Sequence, residues 1–278
     1  MNNNSKAEIA AVMTCHNRRE KTIACLSNLF NIDCKIDVYL VDDGSTDGTS
    51  EAVAGSFPTV KIIRGDGNLY WSRGMYTAWK EALKKGYDFY LWLNDDVLLF
   101  PNALVELTEC FKLAEKNAVI SGIVIDKNSK QPIYGGFDIN TGRILNPNGH
   151  LQPTNNMHGN VVLIHHSISD KIGIIDPRLH HDAGDVDYCL TAKKNGVGVY
   201  VTRIPVAMGY ENPLRRYRKW NSNLKERIAY MNSPIGGEPS TLFYFYRKHF
   251  GLIKGGLKTL LFITRNIAPD WMAKYMYK

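Results

Sequence analysis

Acidic residues recur in this chain of 278 residues at places where predicted strands end. They fall into three groups, Asp42-Asp43, Asp95-Asp96, and Asp182 with Asp185 and Asp187. Ligands of a parallel α/β sheet bind at the carboxyl ends of its strands. Carboxylates at these ends can hold a divalent cation or accept hydrogen bonds from a bound molecule. The spacing therefore indicates a polar binding site built from distant parts of the chain.

The pair Asp95-Asp96 follows the apolar run Leu91-Trp92-Leu93. Two adjacent ionised carboxylates beside a buried strand repel each other and lose solvation, and a divalent cation relieves both costs. Mg²⁺ or Mn²⁺ suits such oxygen ligands and retains waters and substrate phosphates as further ligands. The alternative is that both acids only cap the loop or the next helix.

The segment 41–49, Val-Asp-Asp-Gly-Ser-Thr-Asp-Gly-Thr, places acids at a strand end before a glycine turn and a helix start. A carboxylate here can accept hydrogen bonds from a base N–H or a ribose hydroxyl. The pattern therefore favours a nucleotide site. A generic junction between strand and helix uses the same residue types.

Apolar runs alternate with helical patterns along the first part of the chain. Strands are predicted at 8–14, 36–41, 60–63, 89–93, 119–125, 161–164 and 197–201, and helices at 19–30, around Ala52, 75–85, 101–116 and 185–195. Residues 65–74 are predicted to form a glycine-bearing loop. Strands separated by helices at this spacing predict an α/β fold with a mostly parallel central sheet flanked by helices.

Apolar residues make up 44% of the chain and charged residues 22%, as in ordinary soluble globular proteins. This composition excludes a disordered chain, a fibre and a coiled coil. No stretch approaches the roughly 18–20 apolar residues that a membrane-spanning helix requires, and the polar start lacks the apolar core of a secretory signal. Five cysteines without a CxxC pair predict reduced thiols and a cytoplasmic location.

Positive charge is concentrated at the end of the chain. Residues 213–278 hold 13 basic and 3 acidic residues, a net charge of +10, whereas the whole chain carries +7. The run 215–220, Arg-Arg-Tyr-Arg-Lys-Trp, is the densest part of this excess. An anionic lipid surface or a phosphate-bearing acceptor would attract this segment, and an ordinary solvated helix face is the alternative. No nucleic-acid recognition motif accompanies the charge.

Four motifs together resemble family 2 glycosyltransferases of the GT-A fold, over roughly residues 7–212. They are 14–18 (Thr-Cys-His-Asn-Arg), 41–49, 93–97 (Leu-Asn-Asp-Asp-Val), and the pair formed by 67–75 and 184–192. The last two segments are similar to a bacterial branch that includes rhamnosyl- and hexosyltransferases of surface polysaccharide assembly, such as lipopolysaccharide. The resemblance implies a GT-A catalytic domain at 1–212 and a C-terminal helical extension at 213–278.

The resemblance also implies roles for residues on the donor side. Nucleotide contacts are expected from Thr14, Asn17, Asp42, Asp43 and Arg73, with Asp43 accepting from the imide N–H of the base. Uracil and thymine share that imide edge, so either a UDP- or a dTDP-sugar is expected. Asp42 faces the ribose or stabilises the turn. Contacts to the donor sugar are expected from Asn68, Tyr70, Trp71 and Asp95.

The segment Asn94-Asp95-Asp96 stands where the family has its metal motif, so Asp96 is expected to bind Mg²⁺ or Mn²⁺ with the assistance of Asp95. Asp185 matches the catalytic base of an inverting transfer. The family's Glu-Asp pair is Gly184-Asp185 here, which leaves Asp182 as a rival.

The implied activity is metal-dependent transfer of a sugar to a glycan acceptor. An acceptor linked to a polyprenyl diphosphate would suit the basic tail, which could also lie on the inner face of the cell membrane, pack on the catalytic domain or contact a second subunit in a homodimer. A sugar-nucleotide pyrophosphorylase would need a glycine-rich loop after the first strand, and that loop is absent. A non-catalytic glycan-binding relative stays open as a further alternative.

Overall fold

The computed structural model describes residues 7–32, 34–138, 141–181, 183–210, 223–269 and 272. The strands are Ile9–Cys15 (β1), Ile36–Asp42 (β2), Lys61–Arg64 (β3), Phe89–Leu93 (β4), Leu98–Leu99 (β5), Ala118–Asp126 (β6), Pro132–Tyr134 (β7), Gly136–Phe137 (β8), Gln152–Pro153 (β9), Asn156–Met157 (β10), Val161–His165 (β11) and Gly198–Gly209 (β12). The α-helices are Arg19–Phe30 (α1), Thr49–Ser56 (α2), Tyr70–Leu83 (α3), Ala103–Leu113 (α4), His166–Ile172 (α5), Gly184–Lys194 (α6), Leu224–Met231 (α7), Pro239–Phe250 (α8) and Leu252–Ile267 (α9).

The central sheet has the strand order β3-β2-β1-β4-β11-β6-β12-β5. The first four strands are parallel, β11 is antiparallel to both of its neighbours, and β12 runs parallel to β6. This topology confirms the predicted mostly parallel sheet.

Both faces of the sheet are covered by helices, which explains why the strands are continuous apolar runs rather than alternating ones. Ile9, Ala11 and Met13 of β1 pack into the core formed with α1 and α4. Ala10 and Val12 face the opposite core, where α3 and α6 pack. Packing on both faces therefore fixes the position of β1, and its carboxyl end lies at one edge of the sheet.

The strand register lines up the predicted site segments. Cys15 pairs with Asp42, and Asp42 pairs with Arg64, so β1, β2 and β3 end side by side. The backbone N–H of Asn94 donates to the Asn160 carbonyl oxygen at 2.9 Å just beyond the paired ends of β4 and β11. The segments after β1, β2 and β4 therefore meet at one edge, as the sequence predicts.

Helix α3 begins at Tyr70, five residues before its predicted start at Met75, and it includes Gly74. A Cβ at Gly74 would lie 2.3 Å from Thr14 Oγ1, so glycine here permits close packing of the helix on β1. This glycine thus allows the helix to pack closely on the strand and does not mark a loop, which is why the prediction of a loop over 65–74 was wrong for its second half.

The C-terminal helices pack on the catalytic part of the chain through buried ion pairs. Asp187 of α6, which is 3% exposed, accepts from Lys248 Nζ at 2.8 Å and from His249 Nε2 at 2.7 Å. Asp176, also buried, accepts from Lys248 at 3.0 Å and from the Tyr244 hydroxyl at 2.7 Å. Burial opposes the charged form of Asp176, but its hydrogen bonds hold its pKa well below the usual range.

The predicted domain boundary at 212/213 and the basic run 215–220 lie outside the described residues. Over the described part of the chain, each helix is too short or too polar to cross a bilayer. Four of the five cysteines are buried, namely Cys15, Cys25, Cys110 and Cys189. Burial raises the pKa of each of these thiols above its usual range.

Candidate active site

A cavity of about 480 Å³ lies at the carboxyl ends of the parallel strands. Thr14 and Asp43 line it from the ends of β1 and β2, and Asn94 and Asp95 line it from the end of β4. Tyr70 and Trp71, His181, and Ile235 from the short 3₁₀ helix Pro234–Gly236 contribute further walls. The cavity thus joins residues from both the first and the last parts of the chain.

A larger cavity of about 840 Å³ lies at the opposite edge of the sheet. Glu8, Tyr87 and Asp88, which precede or begin β1 and β4, line it. Ligands of parallel sheets bind at the carboxyl ends of the strands, so volume alone does not identify the site. The smaller cavity carries the predicted residues and is the candidate active site.

Asp43 organises the loop that borders the cavity. Its Oδ1 accepts from the backbone N–H of Gly67 at 2.9 Å, and its Oδ2 accepts from Leu69 at 3.0 Å and Tyr70 at 2.8 Å. An ionised carboxylate offers about four acceptor sites, so one remains for a ligand N–H. A contact between Asp43 and a nucleotide base stays a prediction.

We expect Asp43→Ala to lower the free energy of unfolding by about 2–4 kcal/mol, because three partly buried backbone N–H groups lose a charged acceptor. Chemical denaturation would measure the loss. Asp66→Ala, in the same loop but exposed and bonded only within it, is the matched control and should change stability by no more than about 0.5 kcal/mol. Equal losses in both variants would contradict the bracing role of Asp43.

Asp42 and Asn17 stabilise the turns beside the cavity. Asp42 Oδ1 accepts from the backbone N–H of Ser45 at 3.0 Å, and its Oδ2 accepts from the Ser50 hydroxyl. Asn17 Oδ1 accepts from the Thr46 backbone N–H at 2.7 Å and so joins the loops after β1 and β2. These hydrogen bonds show that Asp42 stabilises the turn. Nucleotide contacts by either residue stay predictions.

Arg18 binds both acids of the pair after β4. Its Nη1 lies 3.2 Å from Asp95 Oδ1, and its Nη2 pairs with Asp96 Oδ2. Asp95 is 3% exposed, and burial raises its pKa to about 7 despite the opposing effect of Arg18. The two carboxylates therefore gather positive charge at this edge of the cavity.

The acid pair fits a divalent cation held in an open site. Mg²⁺ is commonly bound by one or two carboxylates together with substrate phosphates and waters. The side chain of Asp96 is 21% exposed and that of Asp95 only 4% exposed, so Asp96 is the more accessible of the two carboxylates. Metal binding by either residue stays a prediction. The described residues contain no group of three or more His, Cys, Asp or Glu that could form a closed metal cage.

Asp185 lies in the first turn of α6, beside the segment that precedes β11. Its Oδ2 accepts from the Gly159 backbone N–H at 3.0 Å, and its Oδ1 accepts from Val186 at 2.8 Å. Burial raises its pKa above that of an ordinary aspartate. A carboxylate with a raised pKa takes up a proton more readily, as a general base must. Asp182, the rival base, lies outside the described residues.

Trp71 connects Asp185 to the cavity. A Cβ at Gly159 would lie 2.5 Å from the Trp71 ring and 3.3 Å from Asp185 Cβ, so ring and carboxylate border the same glycine. Trp71 Nε1 donates to Asn94 Oδ1 at 2.8 Å. Asp96 contacts the lining residue Arg18, and Asp185 lies beside the lining residue Trp71, so both carboxylates border the cavity without lining it.

The family model for "Glycosyl transferase family 2" matches residues 10–173, which is more than half of the chain. The chain is a family 2 glycosyltransferase. The matched residues include the segments after β1, β2 and β4 and the segment before β11, so the family match and the cavity coincide. No curated protein matches the chain.

Solved structures with a similar fold include a mannosyltransferase. The mannosyltransferase PcManGT from Pyrobaculum calidifontis, in complex with GDP-Man and Mn²⁺, is 15% identical with a TM-score of 0.58 over 93% of this chain and 75% of that one. S. aureus TarS 1–349 is 14% identical with a TM-score of 0.60 over 94% and 81% of the two chains. A longer S. aureus TarS chain is covered over only 43% of its length. These likenesses establish the GT-A fold.

The other residues predicted on the donor side of the glycosyltransferase are divided between the cavity and its surroundings. Tyr70 and Trp71 line the cavity. Asn68 is exposed outside the lining, and Arg73 Nε donates to the Pro177 carbonyl oxygen at 3.0 Å and so points toward the loop before α6. Sugar or nucleotide contacts by these four residues stay predictions.

Arg18, His181 and Ile235 are among the cavity residues of the glycosyltransferase that were not assigned roles from the sequence. Arg18 belongs to the segment 14–18. A basic residue soon after the end of a predicted strand was the sequence feature that could have indicated its place in the site. His181 accepts from the Trp71 backbone N–H at 3.4 Å. Ile235 comes from the extension, and no local pattern indicates that it reaches the cavity.

Proposed function

We propose that this glycosyltransferase transfers a sugar with inversion from a UDP- or dTDP-sugar to a hydroxyl of a glycan acceptor, in a metal-dependent reaction of bacterial surface polysaccharide synthesis. The observation that carries the proposal is the cavity lined by Asp43, Arg18 and Asp95, with Asp96 paired to Arg18 and Asp185 beside the lining residue Trp71. The family fold supports glycosyl transfer in general, and the finer assignments rest on these residues.

The proposed donor site follows from the three strand ends. Asp43 holds the loop before α3 and retains one acceptor position for a base N–H. Tyr70 and Trp71 offer flat rings on which a sugar or base can pack. A divalent cation on Asp96 and Asp95 would offset the charge of the leaving diphosphate.

The proposed base is Asp185. As the acceptor oxygen attacks the anomeric carbon, the bond from that carbon to the diphosphate oxygen breaks on the opposite side, and the acceptor proton passes to Asp185. The two backbone N–H groups from Gly159 and Val186 hold the carboxylate in a fixed orientation. One base is sufficient because the leaving diphosphate needs charge compensation and not a proton.

The acceptor is proposed to be a glycan linked to a polyprenyl diphosphate. Such an acceptor is both anionic and lipid-bound, and the net charge of +10 over residues 213–278 would attract it. Ile235 brings an apolar side chain from this extension to the cavity. A substrate presented at a membrane surface suits this arrangement.

We expect a UDP- or dTDP-sugar with Mn²⁺ to raise the melting temperature, since saturation at 100-fold over Kd adds about 2.7 kcal/mol to stability. Thermal unfolding with UDP-, dTDP- and GDP-sugars, with and without Mn²⁺, tests this. Asp96→Ala should lose the Mn²⁺-dependent part of the shift, whereas Asp170→Ala, whose exposed carboxylate lies at the opposite edge, should keep it. A preference for GDP-sugars would overturn the nucleotide assignment, and tight donor binding without turnover would favour a non-catalytic role.

A further inference from the structure

Helix α9 presents an exposed apolar face. Ile253 is 80% exposed, Leu252 65% and Leu257 63%, although large aliphatic side chains are normally buried in globular proteins. The face, here called the α9 apolar face, consists of Leu252, Ile253, Leu257, Leu260, Leu261 and Ile267. Contiguous exposed apolar surface of this kind marks an interaction site.

The helical period places these side chains together. At 3.6 residues per turn, the α9 apolar face occupies about half of the circumference of the helix. Gly255 and Asn266 lie on the other side and are buried, Gly255 against the backbone of Arg247 in α8. Arg227 of α7 donates to the carbonyl oxygens of Asn266 and Ala268. Helix α9 is therefore anchored to the protein by one side and leaves its apolar side to solvent.

A row of cations borders the α9 apolar face. Lys254, Lys258 and Arg265 are all exposed and project from one flank of the helix, beside Leu257 and Leu261. Residues 251–268 contain no Asp or Glu, so no acidic residue of this segment offsets the positive charge of the flank. An apolar face with Lys and Arg at its border is the pattern of helices that lie in the plane of a membrane interface.

Charge distinguishes an anionic membrane from a second copy of the chain as the partner. A two-fold contact through α9 would bury the apolar face against its own copy but would offer no acidic residue of α9 to the three cations. Anionic lipid headgroups provide negative charge beside an apolar layer, and the long stems of Lys and Arg can reach those headgroups while the leucines enter the layer.

We propose that helix α9 docks the protein on an anionic bilayer, with the α9 apolar face in the acyl boundary and Lys254, Lys258 and Arg265 among the headgroups. The docking is a property of the extension and stands apart from the chemistry proposed for the cavity. The 3₁₀ helix Pro234–Gly236, between α7 and α8, carries Ile235 to the cavity, so the extension that would bind the bilayer also contributes to the cavity wall.

Co-sedimentation of the full chain with lipid vesicles tests the proposal. Equimolar phosphatidylcholine and phosphatidylglycerol vesicles at low salt should pellet the protein, whereas phosphatidylcholine alone should not. Leu257→Gln with Leu260→Gln should weaken binding roughly tenfold or more. Lys254→Gln with Lys258→Gln should weaken it roughly fivefold per charge and reduce its dependence on salt. All four side chains are exposed, so these variants should fold normally.

The matched control is Val105→Gln with Leu113→Gln, which changes two exposed apolar residues of α4 that are 63% and 55% exposed. This control should bind vesicles as the unchanged protein does. Equal binding by the control and by the α9 variants, or no binding to anionic vesicles by the unchanged protein, would overturn the proposal. A dimer that the leucine pair dissociates, without vesicle binding, would assign the face to a second copy instead. Donor binding measured in parallel separates these outcomes from failure of the proposed transferase.

Discussion

Replacing Asp185 by asparagine is expected to lower kcat by roughly 10²–10⁴-fold, because the acceptor hydroxyl would lose the group that takes its proton. The amide retains one acceptor oxygen for the backbone N–H of Gly159 or Val186, so the fold should persist. Donor affinity should change little, since Asp185 is not among the residues that line the cavity proposed to hold the donor. The initial rate of sugar transfer and the donor Kd, measured on the same preparation, check both parts.

The pH profile provides an independent test of the same assignment. Asp185 acts as a base only when it is ionised, and burial raises its pKa, so activity should fall with decreasing pH already above the ordinary range for aspartate near 4. Asp182→Asn is the matched comparison, because Asp182 is the rival carboxylate three residues away. Full activity in Asp185→Asn together with loss in Asp182→Asn would transfer the role to Asp182.

Replacing Asp187 by alanine is expected to lower the free energy of unfolding by about 3–5 kcal/mol, which is the usual cost of removing one partner from a buried ion pair. His249, whose side chain is 1% exposed, would lose its acid partner in the interior, and Lys248 would retain only Asp176. For a chain of this length, the loss corresponds to a fall in melting temperature of roughly 6–20 °C. Calorimetry or thermal unfolding by circular dichroism would measure it.

The matched control for Asp187 is Glu81→Ala, which breaks an ion pair with Lys84 between side chains that are 43% and 67% exposed. Exposed pairs contribute about 0–1 kcal/mol because water screens them, so this variant should unfold near the temperature of the unchanged protein. If Asp187→Ala were no more destabilising than the control, the buried contacts between α6 and α8 would not hold the extension in place.

Local patterns were sufficient to predict most of the elements that position the site. Helix α1 and strand β4 have the predicted bounds. The apolar residues of α1 keep helical spacing to its end, and β4 is an unbroken buried run that stops before the acid pair. The start of α3 could not be predicted, because the first N–H groups of that helix are bound by the carboxylate of Asp43, which lies 27 residues earlier. A cap supplied from another element leaves no trace in the nearby sequence.

The positions of individual side chains were harder to predict from the sequence than the segments that form the site. Asp43 and Asp95 lie on the cavity wall, whereas Arg73, which was also predicted to contact the nucleotide, donates to the Pro177 carbonyl oxygen. Arg18 was part of a recognised motif, yet its contact with Asp95 joins residues 77 positions apart. Side-chain direction depends on which neighbours pack beside a helix, and sequence spacing alone does not specify those neighbours.

The amino-acid sequence by itself determined the family, the α/β architecture and the acidic residues at the strand ends. Buried strands are runs of apolar residues, and polar residues follow where the strands end, so the sequence shows both. Only the tertiary structure decided that Arg18 pairs with both acids, that Trp71 lies beside Asp185, and that Ile235 reaches the site from the C-terminal helices. These arrangements depend on packing between elements far apart in the chain, and such contacts are set by the whole fold rather than by any local pattern.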